Sequence, residues 1–244
     1  MKASPQRAVG ALVVLVLTIA GMPAAPSAAA ADINATDLFN GKDLDGWRLR
    51  HPKATNSKWS VVGAVKLAEG MPERFAAEKG TGILLNGDDG RGVDLLTEAD
   101  HGDCELLLEF NVAKASNSGV YLQGQYEVQI LDSFGKKDTE LKFGDCGGIY
   151  NTAAPKTNVS KAPGEWQRFE IVFQAPRFGT DGKKTANAKF IKVILNGVTI
   201  HENVEVEKPT TASLGGAEKP KGPLMLQGDH GPVAFRNLRI KHAN

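Results

Sequence analysis

The chain has 244 residues, with 29 basic and 28 acidic side chains, five histidines and two cysteines. Hydrophobic residues make up 41%, which excludes a disordered chain and supports a full core. The near-neutral balance, without a basic block, points to neither nucleic acid nor a membrane surface as a partner.

The first stretch reads as a leader. Lys2 and Arg7 precede an apolar run, Ala8 to Ala20, too short to span a bilayer, and Ala28-Ala29-Ala30-Ala31 follows with A-x-A spacing. Residues 1–31 are expected to be a secretory signal peptide, cleaved near Ala31 on export to the periplasm or the exterior. No cysteine marks a lipid anchor there, and no membrane anchor is expected. About 213 residues remain, with a net charge of about −1, enough for one large β domain over 32–244.

Asp37 to Gly41 and Leu44 to Trp47 form a turn-rich opening. Trp59 to Leu67 reads as two strands around Gly63, and Gly82–Leu85 and Asp94–Thr97 as short strands. Cys104 to Val112 alternates Leu106, Leu108 and Phe110 against Glu105, Glu109 and Asn111, a strand with one buried face. Ser118 to Asp132 reads as a hairpin with a glycine-containing turn. Val120, Leu122, Val128 and Ile130 share one face; Tyr121, Gln123, Glu127 and Gln129 share the other. Gly147 to Tyr150 leads into a long loop, and Trp166 to Phe173 is a strand. Phe190–Leu195 and Val198–His201 flank Asn196-Gly197, a strong hairpin signal. Leu224–Gln227 and Val233–Ile240 complete the set. No helical period longer than two turns interrupts these strands, so the expectation is one all-β domain of two antiparallel sheets.

Cys104 and Cys146 lie 42 positions apart; a disulfide and two buried thiols are both open. No CxxC or histidine pair completes a metal site with them. His51, His101, His201 and His242 have no sequence neighbour that lifts them above surface residues.

Two constellations can carry chemistry. Tyr121, Gln123, Glu127 and Gln129 offer amides, a phenol and a carboxylate, side chains suited to sugar hydroxyls because an amide both donates and accepts. Glu127, Gln129 and Asp132 have the spacing E-x-Q-x-x-D, similar to the E-x-D-x-x-E strand of glycoside hydrolase family 16. Here the middle carboxylate is an amide, which removes the electrostatic partner of a two-carboxylate site. Asp132 joins the other two only through a bulge. In the second constellation, Gln227 takes the polar parity of its strand, and Asp229-His230 follow between glycines, where His230 can serve as a general base. Asp229 and His230 with Glu127 or Asp132 could also take a divalent cation, although no spacing specifies one.

The run Ser116–Tyr121 followed by Tyr126–Asp132 resembles the domain-of-unknown-function 1080 family, described as 3-keto-disaccharide hydrolases or 3-keto-glucoside 1,2-lyase and 3-keto-2-hydroxyglucal hydratase domains. Leu38–Gly41 with Gly46-Trp47, Pro163–Trp166, Leu195–Val198, and Gln227–Gly231 leading into Phe235–Asn237 extend the resemblance in order along the chain. Gly228 is an insertion in the family's Gln-Asp-His-Gly pattern. The resemblance implies a concanavalin A-like jelly roll, and an enzyme acting on a small-molecule keto-sugar made by a separate glucoside 3-dehydrogenase, without a cofactor of its own. A C3 ketone acidifies the C2 proton, so a base can start elimination of the C1 aglycone, and water addition completes net hydrolysis. On that reading His230 is the base and Glu127 the second acid/base. Gln129, Gln227, Tyr121 and Gln123 hold hydroxyls or the enolate oxygen, and Tyr150 and Asp132 stand at the rim. The alternative is a non-catalytic carbohydrate-binding module on the same fold.

Overall fold

The computed structural model describes Met1 and residues 35–242, and Ile33–Asn244 forms one compact unit. The expected signal peptide, apart from Met1, lies outside the described residues. Among the described residues no helix is long and apolar enough to cross a membrane.

The strands in chain order are β1 (Thr36–Asp37), β2 (Trp47–Leu49), β3 (Ser60–Ala68), β4 (Met71–Leu85), β5 (Leu95–His101), β6 (Cys104–Val112), β7 (Asn117–Leu122), β8 (Tyr126–Leu131), β9 (Gln167–Gln174), β10 (Arg177–Phe178), β11 (Lys184–Ala186), β12 (Ala188–Leu195), β13 (Val198–Val206), β14 (Gly222–Leu226) and β15 (Val233–His242). They build the expected jelly-roll sandwich of two antiparallel sheets. The eight-stranded sheet runs β13-β12-β9-β6-β15-β4-β3, with β1 also on β15, and the five-stranded sheet runs β2-β5-β14-β7-β8. Period-two alternation explains the layering. Leu106, Leu108 and Phe110 of β6 and Phe169, Ile171 and Phe173 of β9 share a buried core with Val120, Leu122, Val128 and Ile130 of the β7–β8 hairpin. Inside it Phe110 stacks on Phe169 at 4.9 Å and Phe173 meets Phe190 at 5.3 Å.

Gly63 does not separate two strands as expected; β3 is continuous, with a register shift between Val62 and Ala64. A Cβ on Gly63 would stand 2.9 Å from Gly80 Cα, so the glycine serves a close backbone approach at a bulge.

Cys104 and Cys146 are free thiols, both within the core. Burial pushes Cys104 up to about 12 and Cys146 up to about 11, which keeps both protonated and inert at neutral pH.

His101 and His201, expected at the surface, are buried. His201 Nε2 lies 2.8 Å from Gly147 O, so it supports the loop beside β8. His101, at the end of β5, meets His242, at the end of β15, with Nδ1 and Nε2 3.0 Å apart. The pair thus joins the two sheets. Burial first, then the His242 charge, pushes His101 down to about 4; Asp100 opposes the shift and Lys221 adds to it. An unfolded His101 titrates near 6.5, so between 6.5 and about 4 it takes up a proton that the folded ring refuses. Stability is therefore expected to fall as pH drops through that window. Urea melts at neutral and acid pH check this: His101→Gln should lose less stability than wild type across the interval, by about 1–3 kcal/mol.

Candidate functional site

The site is read most directly from register across the outer face of the five-stranded sheet. Arg48 pairs with Leu96, Leu96 with Met225, Met225 with Tyr121, and Tyr121 with Glu127, forming one transverse row. Beyond the sheet edge Ile149 bridges Val128, and Tyr150 N donates to Glu127 O at 3.1 Å. Ile149 and Val128 both join the core, and Tyr150 follows in the turn, where its ring meets Phe143 with centroids 5.3 Å apart. Two residues along each strand a second row holds Arg50, Asp94, Gln227, Gly119 and Gln129. Gly119 pairs with Gln129, Gln227 N donates to Gly119 O at 2.9 Å, and Arg50 N donates to Asp94 O at 2.9 Å.

Glu127 is the chemical centre. Its side chain leans over Gly119: a Cβ on that glycine would stand 2.2 Å from Glu127 Oε1. Glu127 is only 3% exposed, and burial pushes its carboxyl up to about 7. A hydrogen bond from the Tyr121 hydroxyl pulls the other way, and the Asp94 charge adds to the rise. Burial and the Glu127 charge raise Tyr121, which therefore keeps its proton and donates. Asp94 is itself held, with Oδ2 2.9 Å from Arg50 Nη1 and Oδ1 accepting from Gly228 N at 3.0 Å. A carboxyl near 7 beside a fixed negative charge can exchange protons near neutral pH.

The polar face of the hairpin, expected to meet solvent, is covered by two loops. In one, Thr210 Oγ1 accepts from Glu127 N at 3.1 Å, and Leu214 packs on Leu96, Tyr121 and Met225. Arg50 clamps this loop through Ala212 O at 3.2 Å and Ser213 O at 2.8 Å. In the other, Gly144 O accepts from Gln129 Nε2 at 3.2 Å. Asn151 Nδ2 donates to Thr211 Oγ1 at 2.6 Å and ties the two loops together. Among the described residues the Oε1 atoms of Gln129 and Gln227 remain buried without a partner, two acceptors on one row beside Glu127. A buried, unpaired acceptor is unfavourable until a ligand donor reaches it.

Tyr121, Glu127, Gln129 and Gln227 come together in these rows, and Tyr150 lies just past the sheet edge, its N bonded to Glu127 O. Gln123 does not join them. It adopts φ 56° beside Gly124 at φ 64°, in the turn where Gln125 N donates to Leu122 O at 3.0 Å. Its amide donates to Pro220 O at 2.9 Å and to His101 O at 3.3 Å, so it fixes a loop. Asp132 follows β8 and accepts from Ala115 N at 2.8 Å and Phe134 N at 3.4 Å, which makes it a loop organiser. His230 is half exposed above Gln227, whose Nε2 is 3.2 Å from His230 Nδ1. Asp229 Oδ1 also contacts His230 Nδ1. The Asp229 carboxylate can accept only from Nδ1–H. In that tautomer the Gln227 amide nitrogen is a neighbour and not a donor to Nδ1, and the lone pair lies on Nε2, as a base requires.

Asp94, Arg50 and Asn117 were not anticipated as site residues. Asn117 shares the parity of Gly119 and Tyr121, and its amide has no partner among the described residues. That parity was readable from the hairpin; the Arg50–Asp94 pair, across two strands, was not. No group of three or more His, Cys, Asp or Glu among the described residues is placed to hold a metal ion.

Comparison with known proteins agrees with this architecture. A 3-keto-disaccharide hydrolase of Bacteroides thetaiotaomicron is 25% identical over 238 residues, covering 84% of this chain and 77% of that protein. A crystal structure from Parabacteroides distasonis, provisionally described as a glycosyl hydrolase, matches at 27% identity and TM-score 0.59 over 86% of this chain and 84% of that one. Another from the same organism, 23% identical with TM-score 0.55 over 86% and 99%, shares the fold. The 3-keto-alpha-glucoside-1,2-lyase-like domain matches residues 34–241, and the chain belongs to that family.

Proposed function

We propose that this protein cleaves 3-keto-glucosides, 3-keto-disaccharides among them, by elimination followed by hydration. Family membership and the similar proteins support carbohydrate hydrolysis in general. The observation that carries the finer reading is Glu127, a buried carboxyl raised to about 7 beside two orphaned amide acceptors. Near neutral pH it is present in both protonation states, which suits a group that gives a proton and later takes one back.

His230 Nε2 removes the C2 proton. The C–H electron pair delocalises onto the C3 oxygen, then returns to form the C1=C2 double bond as the C1–O bond breaks. Glu127 gives its proton to the departing oxygen. Water then adds to C1 and a proton returns to C2, giving the free 3-keto-sugar. The free amide of Asn117 is a donor for the C3 oxygen as negative charge develops there. Gln129 and Gln227 accept from ring hydroxyls. The keto substrate comes from a separate 3-dehydrogenase acting on the glucoside, and the export expected from residues 1–31 would place the cleavage outside the cytoplasm.

The first test is a 3-keto-glucoside with a chromogenic aglycone beside the unoxidised glucoside. Aglycone release from the keto compound alone, with deuterium washing out of C2, is the expected result. Release from both would favour hydrolysis by Glu127 with Asp94 as its carboxylate partner. Cleavage of neither, with a sugar-dependent rise in melting temperature, would mean a binding module. In the working enzyme His230→Ala should lower turnover by about 10²-fold or more. A rate close to wild type would remove His230 from the mechanism.

A further inference from the structure

We infer that Phe143 and Tyr150 form the aglycone subsite and select leaving groups that present the face of a ring. This rests on the proposed function, because it takes Glu127 as the donor to the departing oxygen. The group bonded to that oxygen must lie just past Glu127. The sugar's side of Glu127 is set by Gln227, Gly119 and Gln129, where the orphaned acceptors lie. Past the edge strand β8 the chain next to Glu127 is the loop that carries Tyr150, whose N donates to Glu127 O at 3.1 Å.

Phe143 completes the corner. Its ring meets Tyr150 edge-to-face, with centroids 5.3 Å apart and planes at 77°. Phe143 is 43% exposed, one of the few large apolar side chains open to solvent among the described residues. Its loop is nevertheless held. Lys142 N donates to Asp145 Oδ2 at 2.7 Å, and Lys136 Nζ contacts the same carboxylate at 2.8 Å. Gly144 O takes the Gln129 amide, and a Cβ on Gly148 would stand 2.1 Å from Phe143 O, so the chain packs closely on itself here. An exposed aromatic ring on a fixed backbone is pre-organised for a ligand, since little freedom remains to be lost on binding. Two rings at a steep angle offer one face and one edge, a seat for an aryl ring or for the C–H face of a pyranose.

The test compares wild type and Phe143→Ala on three 3-keto-glucosides, with methyl, phenyl and glucosyl aglycones. Melting temperatures should match, because Phe143 is a surface ring. Phe143→Ala is expected to lower kcat/KM on ring-bearing substrates by about ten-fold, mostly through KM, and on the methyl compound by less than about three-fold. Phe143→Tyr should restore most of the loss. A loss on phenyl alone assigns the corner to aryl aglycones, and a loss on both assigns it to rings in general. Equal losses on all three substrates would overturn the subsite. If wild type cleaves no keto-glucoside, the proposed function fails and binding decides. Phe143→Ala must then weaken calorimetric binding of unoxidised phenyl glucoside by about five-fold, and equal affinity would overturn the subsite.

Discussion

Glu127→Gln is expected to lower turnover of a 3-keto-glucoside by about 10²–10⁴-fold while making the protein more stable above neutral pH. Both effects have one cause. The carboxyl is buried, faces the Asp94 charge and is raised from 4.5 to about 7. Between those values the folded state holds a proton that the unfolded chain has released. Stability therefore falls as pH rises from 4.5 to about 7, and stays lower above it. An amide of the same shape has no charge to bury, so the variant should gain about 2–3 kcal/mol at alkaline pH and little near pH 4. It still accepts from the Tyr121 hydroxyl, so the site's shape should persist. Turnover, urea melts at the two pH values, and C2 exchange measured apart from aglycone release check the set. A variant that still exchanges C2 deuterium but releases aglycone slowly would place Glu127 at the leaving oxygen. Turnover within ten-fold of wild type would exclude it from proton transfer.

The sandwich was legible because its strands alternate. Cys104–Val112 occupies the interval that alternation assigns to it, and Asn196-Gly197 makes the expected turn, with φ 52° and 84°. Most of β4 was not legible. Met71 to Gly80 carries Pro72, two glutamates, a lysine and several small residues, with no period of two, and it is a strand because β3 pairs along it. The site was half legible for the same reason. Parity within one hairpin put Tyr121, Glu127 and Gln129 on one face. It placed that face in water, since the loops that bury it come from elsewhere: Thr210 is 83 positions from Glu127 along the chain, and Arg50 is 44 from Asp94. A carboxyl raised to about 7 is a product of those remote contacts. Gln123 shows the limit of parity in the other direction. The alternation runs through it, but the turn bends its backbone to a positive φ and carries its amide off to Pro220.

Gly119→Ala should separate the catalytic geometry from the fold. Gly119 sits inside β7 without a left-handed φ, so its backbone suits any residue. Alanine in an ordinary strand position should stabilise by about 0.5–1 kcal/mol relative to glycine, if nothing else moves. Something must move, because the new Cβ would stand 2.2 Å from Glu127 Oε1 and 3.0 Å from Tyr121 Cε2. The Tyr121 ring is wedged among Leu96, Met225 and Leu214, whereas the Glu127 carboxyl is the free end of a flexible side chain. The carboxyl therefore gives way. Driven off its seat it loses the burial that raised it toward 7 and leaves the position from which, in the proposed mechanism, it would reach the scissile oxygen. Turnover is expected to fall by about 10²-fold. The melting temperature should hold or rise, and the limb of the pH–rate profile near 7 should move toward acid. A falling melting temperature would mean that the Tyr121 packing yields instead of the carboxyl. Wild-type turnover in a stable variant would mean that the seat over Gly119 is not where Glu127 works.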